Sequence, residues 1–417
     1  MTEYPMIPPE EALCIVLEHT SVLGTERVGL RESLGRVLAE EVVALEDMPP
    51  FPASAKDGFA VIAADRSVWR QIIGEQMAGP AISVVVQPGT AVRIMTGAPL
   101  PPGADAVAMV EHTEEAEGRM RLLRPVKPGQ DVRPAGQDLA AGERMLAVGT
   151  PLGPPEIGLL ATVGCTRVQV YRRPRVAVLT TGDELVELDQ PLEPGLIRNS
   201  NRYALWAAAS CAGADVIWAG HARDEEGELR RLMIEALEVA GVLLTSGGVS
   251  MGQRDLVKPL LEELGIVHFG QVAQKPGKPL TFATVGEKPV FGLPGFPVSS
   301  LVCFELYVRP ALCKMQGHTR LQRPRVEVVL VHPITLTGTG HHQPDRTEFQ
   351  RAVVTEREGV YWAETTGLQV SGRLRSLVGA NGLLVLPAGR AHFDRGDVVT
   401  AILLDRSEVE GGNERMR

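Results

Sequence analysis

The chain has 417 residues, 44% of them hydrophobic and 22% charged, with a formal net charge of −9. That length allows two to four domains at ~100–200 residues each, and the composition is that of an ordinary globular protein. The acidic balance excludes general nucleic-acid affinity, so an anionic ligand has to be drawn by local lysines and arginines. No apolar run approaches the ~18 residues needed to span a bilayer. The start, M-T-E-Y-P-M-I-P-P-E-E, lacks the basic and apolar regions of a signal peptide, so a cytoplasmic location is expected.

Residues 9–23 have helical spacing with Pro9 near the start, and a mixed segment follows to the M-P-P-F-P punctuation. From Phe51 to about Asp138 short strands alternate with turn residues: A-V-I-A-A, I-S-V-V-V-Q-P-G-T, A-V-R-I-M and A-V-A-M-V, a small β domain. Residues 139–171 resume the mixed pattern of the first segment, with a helix in P-P-E-I-G-L-L-A-T-V-G, so the β segment reads as an insertion into a discontinuous first domain. Arg175 to about Met315 alternates strands (V-A-V-L-T, D-V-I-W-A-G, V-L-L-T, I-V-H-F, P-V-F-G-L) with helices near 201–212, 224–239, 254–264 and 298–315. This is the pattern of a parallel doubly wound sheet, whose ligands bind beyond the carboxyl ends of its strands. From about Arg323 the chain is strand-like again (R-V-E-V-V-L-V, L-L-V-L, V-V-T-A-I-L-L), and E-G-G-N-E-R-M-R reads as a flexible tail.

Three segments fall at expected strand ends: T-T-G-D-E, S-G-G-V-S-M-G-Q-R-D and G-L-P-G-F-P. Ser246, Gly247, Gly248 and Gly252 would let backbone amides face an anion, and Lys275 and Lys278 of K-P-G-K-P add cations stiffened by Pro276 and Pro279. Asp255 is placed for a divalent ion bridged to a phosphate, and Asp183 and Glu184 for metal or substrate binding, although acids at helix starts also serve the helix dipole and Asp224 taken alone reads first as an N-cap. The loop is neither a Walker A sequence nor G-x-G-x-x-G. Ser54, Lys56 and Asp57 precede a D-G turn that on its own is an ordinary hairpin. Five scattered cysteines (Cys14, Cys165, Cys211, Cys303, Cys313) without C-x-x-C read as reduced and structural. The nine histidines, with His341 and His342 adjacent, contain no H-E-x-x-H, so any metal should be a hard ion held by oxygens.

Taken together, P-P-F-P-A-S-A-K-D-G-F-A-V, T-G-A-P, P-P-E-I-G-L-L-A-T-V-G, T-T-G-D-E-L, I-R-N-S-N-R, S-G-G-V-S-M-G, K-P-G-K-P and G-L-P-G-F-P occur in the order of one family. Over residues 9–405 the chain resembles the molybdenum insertases of molybdenum-cofactor biosynthesis: bacterial MoeA, the plant Cnx E domain and the E domain of gephyrin. The resemblance implies a multidomain α/β plus β fold. Its parts would be a discontinuous N-terminal α/β domain (1–49 and 139–171), a β insertion (50–138), a MogA-like doubly wound molybdopterin-binding domain (172–320), a C-terminal β-barrel-like domain (321–405) and the tail (406–417). It also implies a homodimer, and a reaction in which adenylylated molybdopterin and molybdate, with Mg²⁺, yield molybdenum on the dithiolene and free AMP.

By motif match, Asp57, Glu184 and Asp255 are implied as catalytic, and Asp138, Glu184, Asp224 and Asp255 as metal-holding. Thr96, Asp183, Ser246, Gly247, Gly248, Ser250, Lys275, Lys278, Pro294 and Gly295 would hold the substrate. Arg351, Ser371 and Arg373 are candidates for molybdate, a tetrahedral dianion suited to arginine and hydroxyl donors. A G-type molybdopterin adenylyltransferase is the implied upstream partner. The chain departs from the family at Asn199, where Asp is usual, at Phe296, where Asn is usual, and at Phe59, where Tyr is usual. The lost charge and lost amide make a catalytically weakened, gephyrin-like scaffold the alternative, and Asn199→Asp is expected to raise Mg²⁺-dependent turnover or leave it unchanged.

Overall fold

The structure, a computed structural model, describes residues 4–248, 256–336 and 345–404. The chain forms two compact units, one of residues 27–34 and 38–169, the other of residues 1–26, 35–37 and 170–417. Among the described residues no helix is long and apolar enough to cross a membrane.

The first helix, α1 (Pro9–Glu18), opens with proline at its first turn and acids at Glu10 and Glu11, both suited to a helix N-terminus. It buries Ala12 and Val16, spaced i and i+4, and ends before the helical spacing does. There the Thr20 hydroxyl donates to the Val16 carbonyl at 2.7 Å.

The smaller unit is built on a six-stranded sheet of β1 (Gly58–Val61), β2 (Arg70–Gln76), β3 (Thr90–Ile94), β4 (Ala106–Met109), β5 (Thr113–Ala116) and β6 (Arg119–Leu122). The strand order is β4-β1-β3-β2-β6-β5. Both faces of β1 are covered: Phe59 and Val61 pack with Ala91, Ala106 and Met120, while Ala60 packs with Val92, Ile94 and Val107. The run I-S-V-V-V-Q-P-G-T, expected as a strand, forms none before Thr90. Its amides go elsewhere, Ile82 N–H to the Gln76 side chain at 2.7 Å and Val86 N–H to the Pro102 carbonyl at 2.8 Å. The strand lies instead at R-Q-I-I-G-E-Q. Helix α2 (Pro154–Thr162) starts at two prolines, and Glu156 accepts the Gly153 amide at 2.9 Å.

In the larger unit a second sheet comprises β7 (Arg175–Thr181), β8 (Asp215–Ala222), β9 (Val242–Ser246), β10 (Ile266–Phe269), β11 (Thr281–Val285) and β12 (Lys288–Leu293), ordered β8-β7-β9-β12-β11-β10. The first four in that order are mutually parallel, and β11 and β10 are antiparallel additions at one edge. Alternation sorts the side chains. Val176, Val178, Val242 and Leu244 face α3 (Ser200–Cys211), α6 (Pro297–Cys303) and α7 (Arg309–Met315). Ala177, Leu179 and Leu243 face α4 (Glu226–Val239) and α5 (Val257–Leu264). Each fully buried leucine or valine contributes roughly 1.5–3 kcal/mol, so these two faces hold the sheet as a rigid platform.

Two details depart from the expected pattern. T-F-A-T-V does not read as a strand in the sequence; it pairs back on β12 through the two-residue Gly286–Glu287 turn, with Val285 opposite Lys288. The segment expected as one helix over 298–315 is α6 and α7 joined by a π-helical turn at Phe304–Val308. Pro310 lies just beyond; it has no N–H and crowds the carbonyl four residues back, which a widened turn accommodates.

The last part is a closed five-stranded barrel of β13 (Arg325–Leu330), β14 (Thr347–Arg357), β15 (Val360–Thr365), β16 (Gly382–Leu386) and β17 (Val398–Leu403), in cyclic order β14-β15-β13-β17-β16. Val328, Leu330, Val354, Leu384, Leu386 and Ala401 fill it. Gln274 and Lys275 pair in parallel with Thr347 and Glu348, tying the K-P-G-K-P loop to the barrel. All five cysteines are free thiols, and burial pushes the Cys303 thiol far up, so it stays protonated.

Candidate active-site cleft

A cleft of about 730 Å³ opens in the larger unit at the carboxyl ends of β7, β9 and β12. Its wall includes Glu184, Asp224, Gly247, Gly248, Lys275, Lys278, Pro294, Gly295 and Ser371. Four cations (Arg198, Lys275, Lys278, Arg346) and two carboxylates (Glu184, Asp224) line it, with Arg346 paired to Asp345 at 3.2 Å, so the lining carries more positive than negative groups in a chain that is acidic overall. Low-dielectric walls strengthen that field for an anion.

The loops are held by a polar knot. Asn201 Nδ2 donates to Ser246 Oγ at 2.8 Å and to the Gly295 carbonyl at 2.7 Å. Ser246 Oγ lies 3.2 Å from Ser300 Oγ, which donates to the Pro294 carbonyl. Ser246 is 2% exposed, so it pins the S-G-G and L-P-G loops together instead of offering a free hydroxyl. Gly247 and Gly248 have φ of +101° and +64°; a Cβ on Gly247 would stand 2.4 Å from the Thr181 carbonyl oxygen. No other residue fits this close approach. The Gly247 amide, expected to face a ligand, donates to the Leu293 carbonyl at 3.2 Å. Ser250 and Asp255, also singled out from the sequence, lie outside the described residues, as do His341 and His342.

The carboxylates divide by role. Asp224 lines the cleft with Oδ1 accepting the Thr181 hydroxyl at 2.9 Å. Asp183 accepts the Asp224 amide at 3.1 Å and so orients its neighbour. Lys275 Nζ is 3.1 Å from Glu348 Oε2, a carboxylate 6% exposed that also accepts from Gln350. Part of the Lys275 charge is therefore answered from below, whereas among the described residues Lys278 and Arg198 make no ion pair. Gln274, fully buried, donates to the Pro276 carbonyl at 3.1 Å and accepts from the Tyr307 hydroxyl, anchoring the lysine loop.

The molybdate candidates do not converge. Ser371 lines the cleft, but Arg351 is 1% exposed and spends Nε on Ser376 Oγ at 3.1 Å, and neither Arg351 nor Arg373 reaches the cleft wall. Burial lowers the Arg351 pKa to about 10, opposed by Glu348, so it stays charged at neutral pH as an internal cation. Arg351 shares its face of β14 with Phe349, which packs outside the barrel against Val298 and Val302, and it is covered there by the segment of Val370 and Ser376.

Asn199 has its amide fully committed. It caps α3 by accepting the Arg202 amide at 3.3 Å and donates to Thr180 Oγ1 at 2.7 Å, at 1% exposure. Aspartate keeps the cap but removes the donor, so the Thr180 hydroxyl must turn from the Gly220 carbonyl (3.3 Å) toward the carboxylate. Asn199→Asp is therefore expected to cost about 1 kcal/mol in chemical denaturation and to give no gain in Mg²⁺-dependent turnover. A gain would show that the carboxylate reaches a metal.

In the smaller unit, Thr96 donates both its amide and its hydroxyl to Asp57 Oδ1, each at 2.7 Å. These bonds, the backbone one first, hold the exposed Asp57 carboxyl below its ordinary range, so its stabilising contribution is complete above about pH 4 and is lost as pH falls through the depressed value. Thr96→Val should raise the Asp57 pKa in a carboxyl-carbon NMR titration; an unmoved titration would refute the role of the hydroxyl. Asp138 pairs with Arg133 at 2.8 Å, both about half exposed. Among the described residues no group of three or more His, Cys, Asp or Glu side chains is arranged for a metal.

Three family models cover most of the chain: the MoeA N-terminal region (domains I and II) over residues 7–164, a probable molybdopterin binding domain over 177–314, and the MoeA C-terminal region (domain IV) over 334–404. A molybdopterin molybdenumtransferase of Nostoc sp. is 38% identical, covering 91% of this chain and 89% of that protein. The chain belongs to the MoeA family. A MoeA-family relative from Bacillus subtilis, also named molybdopterin molybdenumtransferase, is 36% identical over 98% of this chain and 96% of its own length. Gephyrin of Dictyostelium discoideum is 36% identical over 97% of this chain, which spans 63% of that longer protein. Two crystal structures of the molybdopterin biosynthesis MoeA protein from Pyrococcus horikoshii superpose with a TM-score of 0.80, at 33% and 30% identity, over 96% of this chain and 100% of theirs.

Sequence reasoning missed Asn201, Gln274, Arg198, Arg346 and Glu348. Asn201 and Arg198 stand inside I-R-N-S-N-R, and Gln274 directly precedes K-P-G-K-P, so motif adjacency was an available signal. Nothing local marks Arg346 or Glu348; the barrel brings them to the cleft and the lysine loop.

Proposed function

We propose that this transferase of molybdenum-cofactor biosynthesis inserts molybdate into adenylylated molybdopterin, with Mg²⁺-dependent cleavage of the phosphoanhydride and release of AMP. The supporting observation is the cleft lined by Glu184, Asp224 and four cations at the carboxyl ends of parallel strands. A pyrophosphate linkage needs its charge neutralised, and Arg198, Lys278 and Arg346 suit that task. Mg²⁺ usually takes one or two carboxylates from a protein and the rest of its oxygens from phosphate and water, and Glu184 with Asp224 match that donor set. Bound there, the ion would polarise phosphate oxygens. Asp57, whose carboxyl Thr96 holds below its ordinary range, is the catalytic carboxylate we propose in the smaller unit. A homodimer in the cytoplasm, supplied by a G-type adenylyltransferase, completes the proposal. The alternative, a catalytically weakened scaffold, is supported by Phe296 and by Asn199, which lines the cleft without a charge.

The test incubates purified protein with adenylylated molybdopterin, Mg²⁺ and molybdate and follows AMP. AMP release that requires both the metal and molybdate is expected. Tight binding of the adenylylated substrate with no AMP formed would replace this reading with a binding role.

A further inference from the structure

Phe296 ends the G-L-P-G-F-P loop on the cleft wall with 65% of its surface exposed. A lone exposed apolar side chain is ordinary on a protein surface. This one stands in a concave, cation-lined site, and a second open apolar side chain, Ile197 at 54% exposure, lines the same cleft. Its direction is constrained from both sides. Its backbone is extended (φ −71°, ψ 130°) as the N-cap of α6, with Pro297 following at the first helical position. Its ring leans toward Gly372, where an added Cβ would lie 3.6 Å from Cδ1 and 3.8 Å from Cε1, and the remaining surface is open. The outcome is a positioned aromatic surface in a cleft lined by lysines and arginines.

We propose that Phe296 is a specificity-determining stacking platform for a flat heteroaromatic ring of the anionic substrate. This rests on the function proposed above, whose substrate carries two such rings, adenine and pterin, on either side of its phosphates. An aromatic face gains dispersion and quadrupole contact with a heterocycle without needing hydrogen-bond register. The cations hold the charged part, and the ring favours ligands that are flat as well as charged.

The test measures affinities of the full chain for AMP, ribose 5-phosphate and 6-hydroxymethylpterin by calorimetry, for the wild type, Phe296→Ala and Phe296→Tyr. Circular dichroism checks the fold, which an exposed side chain should not disturb. Phe296→Ala should weaken AMP or the pterin about 10-fold, Phe296→Tyr should retain that affinity, and ribose 5-phosphate should be unchanged in both. Which of the two flat ligands weakens identifies the ring that stacks. Unchanged affinity for both flat ligands in Phe296→Ala overturns the platform, as does an equal loss for ribose 5-phosphate, which would mean that the side chain only shapes the loop. A wild type that binds neither flat ligand defeats the proposed function itself, and the platform falls with it.

Discussion

Asp224→Asn should lower kcat about 100-fold or more, equivalent to about 2.7 kcal/mol of transition-state stabilisation, while leaving the fold intact. The exchange is chosen because the amide oxygen can still accept the Thr181 hydroxyl that now bonds Asp224 Oδ1 at 2.9 Å. The backbone amide of residue 224 can still donate to Asp183. Only the charge is removed, from one of the two carboxylates on the cleft wall. If the pair holds Mg²⁺ against the phosphates, raising the Mg²⁺ concentration should recover part of the rate, because weaker ion affinity is then a large share of the loss. Turnover equal to that of the wild type at limiting Mg²⁺ would remove Asp224 from the metal site and leave it as a structural acceptor.

Glu348→Leu should destabilise the larger unit by about 3 kcal/mol, at the low end of the range for breaking a buried ion pair. Glu348 is 6% exposed and holds Lys275 at 3.1 Å, and its charge also supports the buried Arg351 cation. Leucine fills the volume but leaves Arg351 without a nearby anion and Lys275 without its partner. The discount from the top of the range reflects Lys275, which remains 37% exposed and can be solvated. The unfolding midpoint of the unit in a thermal or denaturant scan reads the effect, and substrate affinity should shift as well, since Lys275 is released into the cleft. An unfolding midpoint that does not move would show that water already screens these charges.

The elements that were legible in the sequence share one property: their burial pattern is local. Val176 to Thr180 and Val242 to Thr245 are continuous apolar runs because both faces of the sheet are covered, and the glycine loops that follow them stand at strand ends. The strand at Thr281–Val285 and the strand at Thr347–Arg357 were less visible. The first is recruited by a two-residue turn onto β12, and the second buries Glu348, Gln350 and Arg351, polar residues that no apolar pattern announces. Conversely, I-S-V-V-V-Q looked like a strand, but the Gln76 side chain and a proline loop took its amides.

By itself, the sequence determined the family, the alternating α/β order, the barrel-like end and the three loops that meet at a sheet edge, because element type and motif order are written in neighbouring residues. Tertiary structure alone decided which groups in those loops remain free to act. Ser246 and the Gly247 amide are spent on holding the loops, Asn199 on capping a helix, and Arg351 on Ser376 and the Val370 carbonyl. Arg198 and Lys278, which make no ion pair among the described residues, are left on the cleft wall with Phe296. The reason is that a hydrogen bond or an ion pair joins residues far apart in the chain, Asn201 to Gly295 or Lys275 to Glu348, and each such pairing removes a group from the list of those a ligand can meet.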